Sequence, residues 1–221
     1  MRRLFRLKNR KILAGPYLFW AMSFIIIPLL MILYYGLTDK NGSFTLNNLS
    51  QMTTPENLKA LGLALLLSFI STLICLVLAY PLAMILAEKN MNQTSFIVLI
   101  FILPMWMNFM LRILAWRLLL SNNGIVNALF GLFGFGPVKM LNTPTAVVFG
   151  MVYDFLPFMI LQIQTSLSKM DNSLLEASAD LGASPAQTFK RVTLPLSVPG
   201  IINGITLVFL PAVSSFFIPK L

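Results

Sequence analysis

The sequence predicts an all-α fold, a polytopic bundle of membrane-spanning helices, and three observations carry that prediction. Of 221 residues, 57% are apolar and only 10% are charged, with a mean hydropathy of +0.83, which excludes an ordinary soluble domain. Charge-free stretches such as 12–38 exceed the roughly 20 apolar residues that a helix needs to cross a bilayer core. The net charge of +9 is unevenly placed, with Arg2, Arg3, Arg6, Lys8, Arg10 and Lys11 all ahead of the first apolar stretch, as expected of a basic tail (1–11) held on the cytoplasmic side. A nucleic-acid surface would instead interleave basic and aromatic residues on a soluble face. Lipid is therefore the expected environment, and no nucleic-acid partner is expected.

Taken in order, 12–38 forms the first span. A cleavable signal peptide would be shorter and end in small residues, whereas Pro28, Leu29, Met31 and Tyr34 continue the apolar run, so the span is retained and kinks at Pro28. The polar stretch 39–59, with Asn41, Gly42, Asn47, Asn48 and Pro55, becomes an external loop. A second span, 60–87, leads through Glu88, Lys89, Asn90 and Asn92 to a third, 95–120, which stops at Ser121, Asn122, Asn123 and Gly124. Residues 125–142 are apolar but cut by Gly131, Gly134, Gly136 and Pro137; a short interfacial helix fits, and a re-entrant segment has the same length. The fourth span is 144–165 and the fifth 198–221. With the N-terminus inside, the internal segments hold ten basic residues and the external ones four, the asymmetry that the positive-inside rule requires.

Several chemistries are poorly served by this chain. It has no His and a single Cys, Cys75, so the commonest general base, the commonest metal ligand and any internal disulfide are missing. No metal site and no catalytic residue is assigned. An intramembrane enzyme would need an activated nucleophile or a carboxylate pair at membrane depth, and Asp154 stands alone. The sequence has no phosphate-cradling GxxxxGK[ST] loop.

The segment between the last two spans, 169–197, carries dense punctuation. Ser173 and Glu176 have capping-box spacing, which predicts a helix over 174–181 ended by Gly182 in the left-handed conformation. Ser184 and Gln187 repeat the spacing with Pro185 at the first helical position, and the second helix is expected to stop at the Leu194-Pro195 step. Leu174, Ser178 and Leu181 fall on one face of the first helix, with Phe189 and Val192 extending an apolar face on the second. Such a knob suits a groove on a partner protein; a connector packed beneath the membrane domain would carry the same pattern.

A resemblance favours the first. Glu176, Ala177, Ser178, Asp180, Leu181, Gly182, Ala183 and Ser184, followed by Val192, Thr193, Leu194 and Pro195, resemble the EAA loop of binding-protein-dependent ABC importer permeases, with Ser178 where the family usually has its second Ala. Leu111, Arg112, Ile113, Leu114, Ala115 and Trp116, with Asn122, Asn123, Gly124, Ile125, Val126 and Asn127, resemble spermidine/putrescine permeases of the PotB type. The resemblance covers essentially the whole chain. It implies the type I importer permease architecture, normally of six spans. Five are present here, and a sixth is expected to be missing beyond Pro219, Lys220 and Leu221. It also implies that Glu176, Ala177, Ser178, Asp180, Gly182, Ala183, Leu194 and Pro195 couple the permease to an ATPase. That ATPase, present in two copies, would bind ATP and Mg²⁺, leaving this chain without a cofactor. A homologous second permease, an extracytoplasmic substrate-binding protein and a bacterial inner membrane complete the implied assembly, with polyamines as cargo. A permease of the same class for another small solute, thiamine, iron or opine-like, is the alternative. A secondary transporter is a further alternative, though no internal repeat of the kind such proteins often show is evident.

Charges at membrane depth form the second candidate group. Asp154 lies about 15 Å into the fourth span, where a charge costs on the order of 2.5–3.5 kcal/mol on insertion scales. Arg112 sits at a matching depth of about 12 Å. Asp154, with Tyr153 beside it and Trp116 one turn beyond Arg112, either lines the translocation path as a transient site for a cation or forms an ion pair with Arg112. Because Arg112 and Arg117 outnumber Asp154 in this layer, the local charge does not itself favour a polycation.

Overall fold

The computed structural model describes residues 15–39, 41–88 and 103–215. The expected basic tail 1–11, the 89–92 turn, the start of the third span and the 216–221 terminus lie outside the described residues. The chain divides into two units, Met1–Gly62 and Leu63–Leu221. Among the described residues the only β pairing is an isolated bridge, Thr38 with Phe44.

In the first unit α1 (Gly15–Ala21) and α2 (Ile27–Leu37) are joined by a π-turn, Met22–Ile26, forming one helix of 23 residues apolar enough to cross a membrane. Pro28 has no N–H for the carbonyl one turn before it. The helix absorbs the defect by widening, with the Ile27 N–H reaching back to Met22 O. The kink expected at Pro28 is therefore a π-turn just ahead of it. A tight turn follows, in which the Gly42 N–H bonds Asp39 O with φ at +77. Asn48 Nδ2 donates to the Tyr35 and Thr38 carbonyls at 3.1 and 3.0 Å, closing the C-terminus of α2 over the short α3 (Asn47–Met52). The predicted 39–59 loop is thus partly helical, and α4 (Pro55–Glu88) starts earlier than the hydropathy suggested. Pro55 fits the first helical position and Glu56 the positive end of the helix dipole.

The second unit is built on the rest of α4, with α5 (Phe109–Leu119), α6 (Ile125–Leu132), α7 (Pro144–Leu167), α8 (Asn172–Asp180), α9 (Pro185–Thr188) and α10 (Leu194–Ser214). One buried cluster joins Cys75, Ala79, Ala83 and Leu86 of α4 to Met159, Ile160, Ile163 and Leu167 of α7 and Val208 of α10. A second joins Leu67, Ile113, Val147, Met151 and Ala212. With Ser68, Ser71 and Thr72 also buried, the inward stripe of α4 is made of small residues from Ser68 to Ala83, between Leu67 and Leu86, which allows close backbone approach where lipid offers no hydrophobic drive between helices. Helices α7 and α10 approach most closely at Gly200 and Gly204. A Cβ at Gly200 would lie 2.5 Å from Ser166 Cβ and 2.8 Å from Gln162 O, and one at Gly204 would lie 2.5 Å from Met159 Sδ.

Four helices among the described residues are long and apolar enough to span, 15–37, 55–87, 144–167 and 185–214, in line with the predicted bundle. Two boundaries differ from expectation. Within the third predicted span a 3₁₀ turn, Leu103–Trp106, is separated from α5 by Asn108, whose Oδ1 accepts from the Met110 and Leu111 N–H groups; an N-cap of this kind starts a new helix. The fifth span does not wait for 198. Helix α9 runs through a π-turn, Phe189–Thr193, into α10, with the Leu194 N–H bonded to Phe189 O. Pro195 does not stop the helix as predicted, because the wider turn and a position in the first turn of α10 accommodate its missing donor. Pro81, Pro157, Pro199 and Pro211 likewise lie inside continuous helices.

Candidate functional site

The first helix of the 168–193 segment, α8, opens at Asp171. Its Oδ1 accepts the Ser173 N–H at 3.0 Å and caps α8, and that bond to the ionised form holds this exposed carboxyl below its ordinary value of 3.8. The predicted Ser173/Glu176 capping box therefore gives way to an acidic cap two residues earlier, which uses Ser173 as a donor. At the other end the Gly182 N–H bonds Ala179 O at 2.8 Å and the Ala183 N–H bonds Ser178 O at 3.0 Å, with Gly182 at φ +76. This Schellman closure bears out the glycine stop read from the sequence. The Ser184/Gln187 capping box also forms, with both reciprocal bonds present at 2.8 and 3.4 Å.

The faces fall differently from expectation. Ser178 is 9% exposed while Leu181 is 88% exposed, so Leu174, Ser178 and Leu181 do not share one outward face. Ser178 Oγ donates to Leu175 O at 2.8 Å and sits 2.9 Å from Thr188 Oγ1. A hydroxyl has one proton to give, so Thr188 is the donor in the second bond, and Ser178 ties α8 to α9. Glu176, Ala177, Asp180 and Gly182 are exposed, and Ala183 and Leu194 are partly covered. Phe189 turns inward, edge-on to Tyr80 at 5.6 Å. The Tyr80 hydroxyl lies 2.8 Å from Ser197 Oγ, which itself donates to Leu194 O. Pro195 is exposed beside this contact. A spanning helix, α4, is thereby joined to the base of the knob; Tyr80 carries no sequence signal, since any aromatic in a span reads as packing.

The second group assembles where α5 meets α7. Arg112 Nη1 lies 3.0 Å from Asp154 Oδ1, with side chains only 12% and 10% exposed, so of the two roles read for Asp154 the ion pair is formed. One turn along, the Trp116 ring sits edge-on to Phe149 at 4.7 Å and to Tyr153 at 5.0 Å. All four candidate path residues, Arg112, Trp116, Tyr153 and Asp154, thus occupy one layer, held by charge and ring packing together. Nearby, Asn127 is buried and bonds Ser121 O, Val138 O and the Val138 N–H, locking α6 and the chain that follows it. Within the predicted 125–142 stretch the structure has one short helix, α6.

A third feature was missed in the sequence. Along the α7/α10 crossing runs an open cavity of about 490 Å³ bordered by Gln162, Thr165, Ser166, Lys169, Asp171 and Asn203, with apolar neighbours. The signal available was Gly-x-x-x-Gly at 200–204, which marks a close helix crossing and so brings the polar residues of both helices side by side.

The family described as binding-protein-dependent transport system inner membrane component matches residues 79–221. The spermidine/putrescine transport system permease protein PotB of Haemophilus influenzae is 36% identical over 222 residues, covering 97% of this chain and 78% of that protein. PotB of Escherichia coli K12 is 37% identical over 91% of this chain and 76% of its own length. The inner membrane ABC transporter permease protein YdcU of the same organism is 30% identical over 95% of this chain and 74% of its own length. Among solved structures, a chain of a bacterial ABC transporter involved in the import of the acidic polysaccharide alginate superposes with a TM-score of 0.78 at 18% identity, covering 97% of this chain and 78% of that one. These agreements bear out the resemblance read from the loop, and the structural likeness establishes the fold. The chain belongs to the binding-protein-dependent transport system inner membrane component family, as a multi-pass permease subunit.

Proposed function

We propose that this chain forms part of the membrane passage of an ATP-driven importer of polyamines, with spermidine and putrescine as cargo. A separate ATPase, in two copies, docks on the 172–188 knob, binds ATP and Mg²⁺ and performs the hydrolysis, so this chain is non-catalytic. A homologous second permease completes the passage, an extracytoplasmic binding protein delivers the solute, and the N-terminus lies in the cytoplasm.

The observation that carries the coupling role is the knob itself. Two short helices closed by an acidic cap, a Schellman glycine and a capping box are tied at Ser178–Thr188 and present Leu181 at 88% exposure. A rigid projection with an exposed apolar tip and flanking Glu176 and Asp180 suits a cleft on a partner. The knob runs without a break into α10 and rests through Phe189 on Tyr80 of α4, so displacement of the knob would tilt spans. The cargo reading is supported by the names of the relatives at 36–37% identity. Arg112 engages Asp154, so discrimination among solutes is assigned mainly to the binding protein.

The test is co-expression with the candidate ATPase, comparing the parent with Gly182→Pro and Glu176→Lys. Both variants should lose the co-purifying ATPase while remaining in the membrane; equal capture by all three chains would overturn the coupling role. Radiolabelled spermidine uptake by the reconstituted importer decides the cargo separately.

A further inference from the structure

Polar side chains on a spanning helix have few options in lipid. A hydroxyl can bond the carbonyl one turn back, and Thr72, Thr206 and Ser214 do so, donating to Ser68 O, Ile202 O and Leu210 O at 2.7, 2.9 and 3.1 Å. An amide cannot satisfy its donors and acceptor in this way, and belongs against protein or water. The side chains of Gln162, Thr165 and Ser166 of α7 and Asn203 of α10 make no hydrogen bond among the described residues. Thr165 and Asn203 are exposed. All four open onto the same cavity of about 490 Å³, whose rim holds Lys169 and Asp171. From Ser166 back to Gln162 the polar border follows α7 for about 6 Å at 1.5 Å per residue, and Lys169 continues it in the turn beyond.

We propose that this groove is a water-lined wall of the translocation passage at the end of the bundle that carries the knob, with Gln162, Thr165, Ser166 and Asn203 as its lining groups. The inference rests on the importer reading, and adds where the solute leaves. The lining offers amide and hydroxyl dipoles, with one cation and one anion at the rim, so it hydrates a small polar solute in transit without holding a charge of either sign. That chemistry suits an exit, where tight binding would slow release. The groove's polar border contrasts with the cleft on another face of the unit, lined by Phe69, Thr72, Leu73, Leu76, Ile205 and Phe209, where the single polar residue is already satisfied by its own helix.

Cysteine accessibility in the assembled importer tests this. The native Cys75 is fully buried and gives a silent background. Thr165→Cys, Asn203→Cys and, as a lipid-facing control, Leu73→Cys would be placed one at a time and treated in inverted membrane vesicles with a sulfonated, membrane-impermeant methanethiosulfonate, and in parallel with lipid-soluble N-phenylmaleimide. The expected result is that the impermeant reagent modifies Thr165→Cys and Asn203→Cys but not Leu73→Cys, and that the modified importers, purified and reconstituted with the binding protein on its own side, lose most of their solute uptake. Labelling of both groove positions only by the lipid-soluble reagent overturns the proposal, as does no labelling by either, or modification that leaves uptake intact. Two groove positions on different helices guard against one variant failing to assemble. Spermidine uptake by the unmodified importer is scored separately: if it fails while the labelling pattern holds, the cargo reading falls and the groove stands.

Discussion

Helix α7 meets polar side chains from its neighbours at two levels, and the two are satisfied in opposite ways. Near the middle of the helix Asp154 is engaged by Arg112 at 3.0 Å, with both side chains nearly covered and aromatic rings packed alongside. Two turns further on, Gln162, Thr165 and Ser166 border the same open cavity as Asn203, and their side chains make no hydrogen bond among the described residues. The same helix thus carries a closed polar contact and an open one. A buried charge is so costly to leave unpaired that it must be matched within the protein, whereas neutral amides and hydroxyls are content with water. Closed and open contacts therefore predict different responses to mutation: the first should report on stability, the second on transport.

The largest expected effect comes from breaking the closed contact. Arg112→Ala or Asp154→Ala strands one charge and should destabilise the subunit by about 3–5 kcal/mol, read as a drop in thermal stability of the detergent-purified protein. Replacing both residues with apolar ones of similar volume should recover most of the loss; a double variant as unstable as the singles would mean that the pair does more than neutralise itself. Next come the glycines that bring α7 and α10 together. Gly200→Ala pushes a methyl towards the Gln162 carbonyl, which cannot move, whereas Gly204→Ala meets the flexible tip of Met159. Both overpack, at about 1–3 kcal/mol, and Gly200→Ala should be the worse of the two in the same assay. Should the order invert, the backbone contact at Gly200 would not be the limiting approach.

Smaller effects fall in the knob. Ser178→Ala removes the bond to Thr188 and should cost about 1 kcal/mol, visible as faster hydrogen exchange across 178–188 with the spans unchanged. Asp171 supplies a pH dependence. Its carboxyl titrates below 3.8 in the folded chain, so the stabilisation it gives the start of α8 is fully present above that value and is lost as pH falls through the lower, folded-state value. Asp171→Asn, which keeps a capping oxygen, should abolish that acid dependence while retaining the cap; an unchanged acid profile would assign it to another group.

Much of this arrangement was legible beforehand. Gly182, Pro185 and the Ser184/Gln187 pair act through neighbours within a few residues, so their spacing alone told the stop and restart of the knob. Asp171 was overlooked in favour of Ser173 because both are good caps two residues apart, and which one receives the N–H depends on where the preceding turn leaves the chain. Pro195 misled for a related reason: a proline removes one donor, but the helix can widen into a π-turn and continue, as it does before Pro28 as well. Leu181 and Ser178 looked alike on a helical wheel, yet only Ser178 is covered, by α9 folding back through Thr188.

What the sequence determined by itself is whatever depends on local or bulk physical chemistry: the helical membrane class, from hydropathy and the length of apolar runs; the capped knob, from short-range hydrogen-bond geometry; and a matched depth for Arg112 and Asp154, from helical rise. Tertiary structure alone decided what depends on which faces meet. That Asp154 is paired follows from how α5 meets α7, that Tyr80 touches the base of the knob from how α4 meets the start of α10, and that polar side chains from two helices border one cavity from the crossing of α7 and α10 at Gly200 and Gly204. A helix rotated by one residue would turn a different stripe inward, and no single span encodes the rotation of its neighbour.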